Sequence, residues 1–195
     1  MRIVGLTGGI GSGKSSILEI FKKIGVSTYN ADESAKKLIS TNKNIIHSIK
    51  QLFGEEIYNE NELNSKLVSK IVFNDKEKLK SLNSIIHPEV AKDFEGFCHN
   101  HRHETYIVKE AAIIFETKTE NLFDKIIYVR APDDIRIDRV MQRDNLSRED
   151  VLIRIRNQLT ETSILDKCDF VIDNTNYSEL ERKVLQIHDV IISLN

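Results

Sequence analysis

Apolar residues in this chain recur in two kinds of pattern, and the alternation between them predicts the fold. Continuous runs read as buried strands: Arg2-Ile3-Val4-Gly5-Leu6-Thr7, Tyr106-Ile107-Val108, Lys125-Ile126-Ile127-Tyr128-Val129 and Phe170-Val171-Ile172. A weaker run, Val26-Ser27-Thr28-Tyr29, supplies one more strand. Between the runs, apolar residues step at helical spacing. Ile17, Leu18, Phe21 and Ile24 follow the first strand, and Leu180, Val184, Ile187, Ile191 and Leu194 close the chain. Strands alternating with helices predict a parallel sheet covered on both faces, with ligands at the carboxyl ends of its strands.

One stretch interrupts this alternation. From about Glu33 to His101 the spacing is helical almost throughout, in stripes such as Ile45, Ile49, Leu52, then Leu63, Leu67, Ile71, then Leu79, Leu82, Ile86. Val90, Phe94 and Phe97 continue the pattern beyond His87-Pro88, and Pro88 is expected to open a new helix at its first turn. A strandless stretch of that length exceeds a simple crossover, so it reads as an inserted helical subdomain. Further on, Asp133 to Arg143 is helical and Asn145-Leu146 forms a turn. Ser147-Arg148-Glu149-Asp150 reads as a capping box that opens a helix carrying Val151, Ile155 and Leu159.

Chemistry enters at the junction of the first strand and helix. Gly8-Gly9-Ile10-Gly11-Ser12-Gly13-Lys14-Ser15 reads G-x-x-x-x-G-K-S, a phosphate-binding loop, and it stands between a strand and a helix as that loop requires. The glycines let backbone amides converge on a phosphate, and the helix start adds its own amides and dipole. Lys14 is expected to reach the β- and γ-phosphates and Ser15 to ligate Mg²⁺. A dinucleotide fingerprint starting at Gly9 fails, because position 14 is lysine. The pattern therefore predicts a three-layer α/β/α fold of the P-loop NTPase kind that binds a nucleoside triphosphate.

Two further features bear on function. Asp32, the first carboxylate after the second strand, reads equally as a general base or as a helix N-cap. Seven of the ten arginines lie between Arg130 and Arg156, a span with no lysine, although lysines number 18. Arginine grips phosphate oxygens with a planar fork, so this span reads as a helical lid in which Arg139 and Arg143, four residues apart, meet the ATP phosphates. His87, before Pro88, is either a structural residue or a substrate contact. Cys98, His99, His101 and His103 lack a second ligand pair at zinc spacing and read as an exposed turn.

Composition narrows the class. The formal net charge of −2 argues against a general nucleic-acid binder, and no apolar run approaches the ~20 residues that span a bilayer. Two distant cysteines suit a reducing compartment, so a cytoplasmic protein is expected, with no obligate protein partner evident.

Beyond the loop, the chain resembles the dephospho-CoA kinases along nearly its whole length. The resemblance rests on Gly5 to Ser15, then Ala31-Asp32, Ile86-His87-Pro88, Ile113-Ile114-Phe115-Glu116, and Arg139-Val140-Met141-Gln142-Arg143-Asp144-Asn145-Leu146-Ser147, in that order. It implies transfer of the γ-phosphoryl of ATP to the ribose 3′-hydroxyl of dephospho-CoA, the last step of coenzyme A synthesis. By position it implies Asp32 as catalytic base, with Lys14, Arg139 and Arg143 stabilising the transferred group. ATP would be held by Gly9, Gly11, Ser12, Gly13, Lys14, Ser15, Ser16, Arg139 and Arg143. The acceptor would meet His87, Phe115 and Glu116, and Mg²⁺ would be held by Ser15 and by Glu110 through water. The implied layout is a single domain over 1–195: a core of 1–32, 102–132 and 162–195, a helical CoA-binding insertion at 33–101, and a lid at 133–161. The chain departs from the family pattern at Asn30, at Glu110-Ala111-Ala112, at Arg136 and at Asn174-Thr175-Asn176. A P-loop kinase of another nucleotide or hydroxyl acceptor is the alternative. A nucleotide switch fits less well, since no N-K-x-D guanine-reading motif is present.

Overall fold

A computed structural model of the chain describes residues 1–60, 62–73 and 75–194, leaving aside the side chains of Phe73 and Tyr177. It divides into two units, one of Met1–Tyr29 with His101–Asn195 and one of Asn30–Asn100. Among the described residues no helix is long and apolar enough to cross a membrane.

The first unit is built on a five-stranded sheet of β1 (Arg2–Thr7), β2 (Thr28–Asn30), β5 (Tyr106–Glu110), β6 (Lys125–Arg130) and β7 (Phe170–Asp173), in the order β2-β5-β1-β6-β7. β1 pairs in parallel with β5 and β6, and β6 pairs in parallel with β7. The strands are continuous apolar runs because both faces are buried. Ile127 and Val129 of β6 join Val4 and Leu6 on one face, under α1 (Lys14–Lys23) and α9 (Tyr177–Ser193). Ile126 and Tyr128 turn to the other face, where Ile114, Phe115 and, from the short α8 (Glu161–Ile164), Ile164 cover them. Gly5 sits on that second face, and a methyl group there would lie 2.9 Å from Ile114 and Phe123. The helical pair α6 (Asp133–Asp144) and α7 (Arg148–Arg156) has a small core of its own, of Ile137, Val140 and Val151. Ser147 caps α7 by accepting from the Asp150 amide, as the capping box predicts. α7 ends at Arg156, so Leu159 lies beyond it and is exposed.

The second unit packs α2 (Ala31–Thr41), α3 (Lys43–Phe53), α4 (Ser65–Phe73) and α5 (Lys76–Asn100) around Ile45, Ile49, Ile57, Val68, Leu82 and Ile86. Asn42 caps α3, and Gly54, at φ 102°, stops it. Two expectations fail here. The stretch contains strands, the two-residue antiparallel pair β3 (Tyr58–Asn59) and β4 (Glu62–Leu63), so Leu63 belongs to β4 rather than to a helical stripe. Such a short ladder leaves no period-2 signal in the sequence.

Pro88 does not start a helix; it lies inside the 25-residue α5. A proline there removes one helical hydrogen bond, to the carbonyl of residue 84. Ser84 is exposed, so water can satisfy that carbonyl, while Leu82, Ile85, Ile86 and Val90 pack on the unit's core from both sides of the break. Tertiary packing overrides the local preference.

Candidate active site

The loop between β1 and α1 presents backbone rather than side chains. Gly13 caps α1 at φ 89° with no side-chain cap bond, and the first turn carries no acidic residue. Amides at the helix start therefore meet no carboxylate of their own, which suits an anionic ligand. A side chain at position 13 would also collide with the Asn174 amide.

Gly11, Gly13, Lys14, Ser15 and Ser16 line a cavity of about 370 Å³ with Glu110, Arg139, Val140, Arg143 and Asn174. The Lys14 ammonium folds back on its own loop, donating to the carbonyls of Gly8 (2.8 Å) and Gly9 (3.4 Å). Arg139 donates to the carbonyls of Gly11 and Ser12 (3.4 Å each) and of Asn174 (3.2 Å). Arg143 instead forms two hydrogen bonds with the neighbouring Asp144 (2.7 and 3.0 Å), which raise its pKa further, and its side chain is 64% exposed. Glu110, at the end of β5, is buried. The Ser15 hydroxyl and the Glu110 carboxylate are hard oxygen donors, the set that a small divalent cation takes.

A second cavity, of about 480 Å³, shares the loop. Thr7, Gly8 and Gly9 form one wall; Ala112, Phe115, Glu116 and Tyr128 form another; Arg136, Arg156, Gln158, Leu159 and Glu161 are among the remaining lining residues. It combines apolar rings with charges of both signs, and burial raises the pKa of the Tyr128 phenol. Gly9 thus faces this second cavity. Ser12 lines neither: its hydroxyl is buried without a hydrogen-bond partner, and its amide donates to the Gly9 carbonyl (3.1 Å).

Asp32 and His87 belong to the other unit. Asp32 is not an N-cap, because Asn30 is: its side chain accepts from the amides of Asp32 and Glu33 (3.0 and 3.1 Å). Among the described residues the exposed Asp32 carboxylate forms no hydrogen bond or ion pair. His87 is exposed in the middle of α5, so it caps nothing. Cys98 and His99 lie in the last turn of α5, so the expected turn starts only after Asn100, and no cluster suited to a metal occurs among the described residues.

Sequence reasoning missed Asn174 and Gln158. Asn174, 3% exposed, donates to the Ser12 carbonyl (2.7 Å) and so ties the end of β7 to the loop. Its signal is its place: a polar residue just past the carboxyl end of a strand. Asn176, one of the departures from the family pattern, caps α9 with an extended backbone, so no glycine is needed there.

Arg130 forks onto Asp173 beside Asn174, and also meets Glu161 (3.3 Å). The Arg130 hydrogen bond lowers the Asp173 pKa. A lowered carboxylate pKa adds stability above the unfolded value near ~3.9 and loses it as pH falls through the folded value. Asp173 is 47% exposed, so the pair is worth only about 0–1 kcal/mol. The melting-temperature gap between wild type and Asp173→Asn should therefore close as pH drops from ~6 to below ~3. A gap that stays constant across that range contradicts the assignment.

The comparisons with known proteins agree with this geometry. The family model described as dephospho-CoA kinase matches residues 2–179. The Chlorobium chlorochromatii protein named dephospho-CoA kinase is 35% identical, with 97% of this chain and 93% of that protein covered. Among solved structures, Thermus thermophilus TT1252 is similar at TM-score 0.86 and 30% identity, covering 97% of this chain and 96% of that one. The dephospho-CoA kinase of Campylobacter jejuni is similar at TM-score 0.72 and 29% identity, covering 98% and 97%. A parallel sheet, a phosphate loop at its carboxyl edge and these relatives lead to one assignment: the chain belongs to the dephospho-CoA kinase family.

Proposed function

We propose that this protein transfers the γ-phosphoryl of ATP to the ribose 3′-hydroxyl of dephospho-CoA. The observation that carries this reading, beside the family, is the pair of cavities sharing one loop: a polar one at the start of α1, and a larger mixed one walled by Phe115 and Glu116. In this reading the first takes the triphosphate on the amides of Gly11, Gly13, Lys14, Ser15 and Ser16. The second takes the acceptor. Asp32 serves as general base and His87 as an acceptor contact, and the α6–α7 pair acts as the lid.

Phosphoryl transfer asks the protein mainly for alignment and for charge placed against the transferred group. Lys14 would leave the Gly8 and Gly9 carbonyls for the phosphates, and Arg139 and Arg143 would add two forks. Ser15 directly, and Glu110 through water, would hold Mg²⁺, which neutralises charge on the β- and γ-oxygens when bound. Asp32 would accept the proton of the attacking hydroxyl. Closure around the acceptor would exclude water, the competing nucleophile. A cytoplasmic location fits two cysteines that form no disulfide, Cys98 and Cys168.

The test is ATP turnover with dephospho-CoA against adenosine monophosphate at equal concentration. ADP formation that depends on dephospho-CoA, with a product phosphorylated at the 3′ position, is the expected result. Equal or faster turnover of the monophosphate transfers the reading to another P-loop kinase.

Arg143→Lys tests the lid. Lysine keeps the charge but not the fork. If Arg143 exchanges Asp144 for phosphate, activity should fall on the order of 30-fold, about 2 kcal/mol of transition-state stabilisation. If it serves only Asp144, an exposed pair worth about 0–1 kcal/mol, the kinetics should not move. Steady-state kcat/KM for ATP decides.

A further inference from the structure

Ile10, at the tip of the phosphate loop, is held from three directions by the α6–α7 pair. Its side chain packs on the Ile137, Val140 and Val151 core. Its carbonyl accepts from Arg136 Nε (2.9 Å), and its amide donates to Gln158 Oε1 (2.8 Å). The same Gln158 oxygen accepts from Arg136 Nη2 (3.3 Å), and Asp133 fixes the other arm of the guanidinium (2.9 Å). The Arg136 side chain is only 12% exposed. Both polar groups of one residue are thus matched by a fork and an acceptor that also bind each other. The loop is shaped to admit this: a methyl at Gly9 would collide with the Arg136 guanidinium, and one at Gly11 with the Arg136 carbonyl.

We propose that Arg136 and Gln158 are positioning residues for phosphoryl transfer, which lock the tip of the phosphate loop to α6, the helix that carries Arg139 and Arg143. Arg136 and Arg139 lie within one turn of the same helix, α6, so wherever the loop amides point, the arginines follow in fixed register. The lid is therefore pinned to the loop through Ile10. The proposal rests on the reading that the loop binds the donor phosphates. It goes beyond that reading in giving the loop's aim a source in two side chains that act through Ile10, although both also line the second cavity.

The experiment compares Gln158→Met, which keeps side-chain length but removes the acceptor, and Arg136→Met, which keeps the aliphatic stem but removes the fork, with their double variant and with Arg136→Lys. Small misplacements of reacting groups are costly in rate, so each Met variant should lower kcat about tenfold. The double variant should be no worse than the worse single, because the two residues act on one loop position. Amide hydrogen exchange over residues 8–12 should speed up in both, and Arg136→Lys should recover part of the loss. Unchanged kcat with a lower melting temperature would reduce the pair to a fold stabiliser and overturn the proposal. So would multiplicative losses in the double variant. Lys14→Ala separates this from the underlying reading: if that variant still turns over normally, the phosphate-loop assignment itself falls, whatever the clamp variants do.

Discussion

Asp32→Asn should lower kcat about 10²–10⁴-fold while leaving the KM for ATP and the fold nearly unchanged. The structure makes this substitution clean. Asn30 already caps α2 through the amides of Asp32 and Glu33, so replacing the Asp32 carboxylate disturbs no cap. The side chain is exposed, and asparagine is close to it in shape. What remains is the favourable position of a carboxylate in the first turn of a helix, worth about 0.3–1 kcal/mol. Loss of a positioned base is worth about 3–5 kcal/mol on the activation barrier. The two effects are separable by size and by assay. A mutant with wild-type kcat and a melting temperature lower by a degree or so would leave Asp32 with its helix-terminal role alone.

Lys14→Ala should remove at least about 10²–10³ of the rate, the loss typical of deleting one group aimed at developing charge in a closed site. Two hydrogen bonds, to the carbonyls of Gly8 and Gly9, also disappear, at a net cost of about 1 kcal/mol each or less. The buried face of α1, Ile17, Leu18, Ile20 and Phe21, is untouched. Circular dichroism should therefore report a folded protein that turns over little ATP. Lys14→Met, which keeps the aliphatic stem, should behave alike. Near-normal turnover by either would remove Lys14 from the chemistry.

The strands and the phosphate loop were legible because their signals are local. β1, the loop and α1 are contiguous, and residues of β6 advertise burial on both faces by forming an unbroken run, Ile126 to Val129. The loop's supports were not legible, because each joins residues far apart in the chain. Ile10 meets Gln158, and Ser12 meets Asn174, at separations of 148 and 162 residues. A lone glutamine just past a helix carries no periodic or compositional mark. Arg136 stood out as one arginine among several and as a departure from the family pattern, but what its fork grips, Ile10 and Asp133, lies in no local pattern. Where local preference competed with packing, as at Pro88, packing won. Asp32 was ambiguous because a capping residue and a base share the same address after a strand, and only the bonds of Asn30 removed one option.

The two units bury their apolar residues in separate cores, with Ile45, Ile49 and Ile57 in one and Val4, Leu6 and Ile127 in the other. Multi-domain chains often depart from all-or-none unfolding and open in parts. Each unit is then expected to open with a free energy of its own. A substitution at Ile49 registers in the opening of 30–100, and one at Ile127 registers in the opening of the sheet. Ligands that bind one unit alone protect that unit alone, by mass action on its own opening equilibrium. A denaturation curve of the chain is then expected to report two openings together.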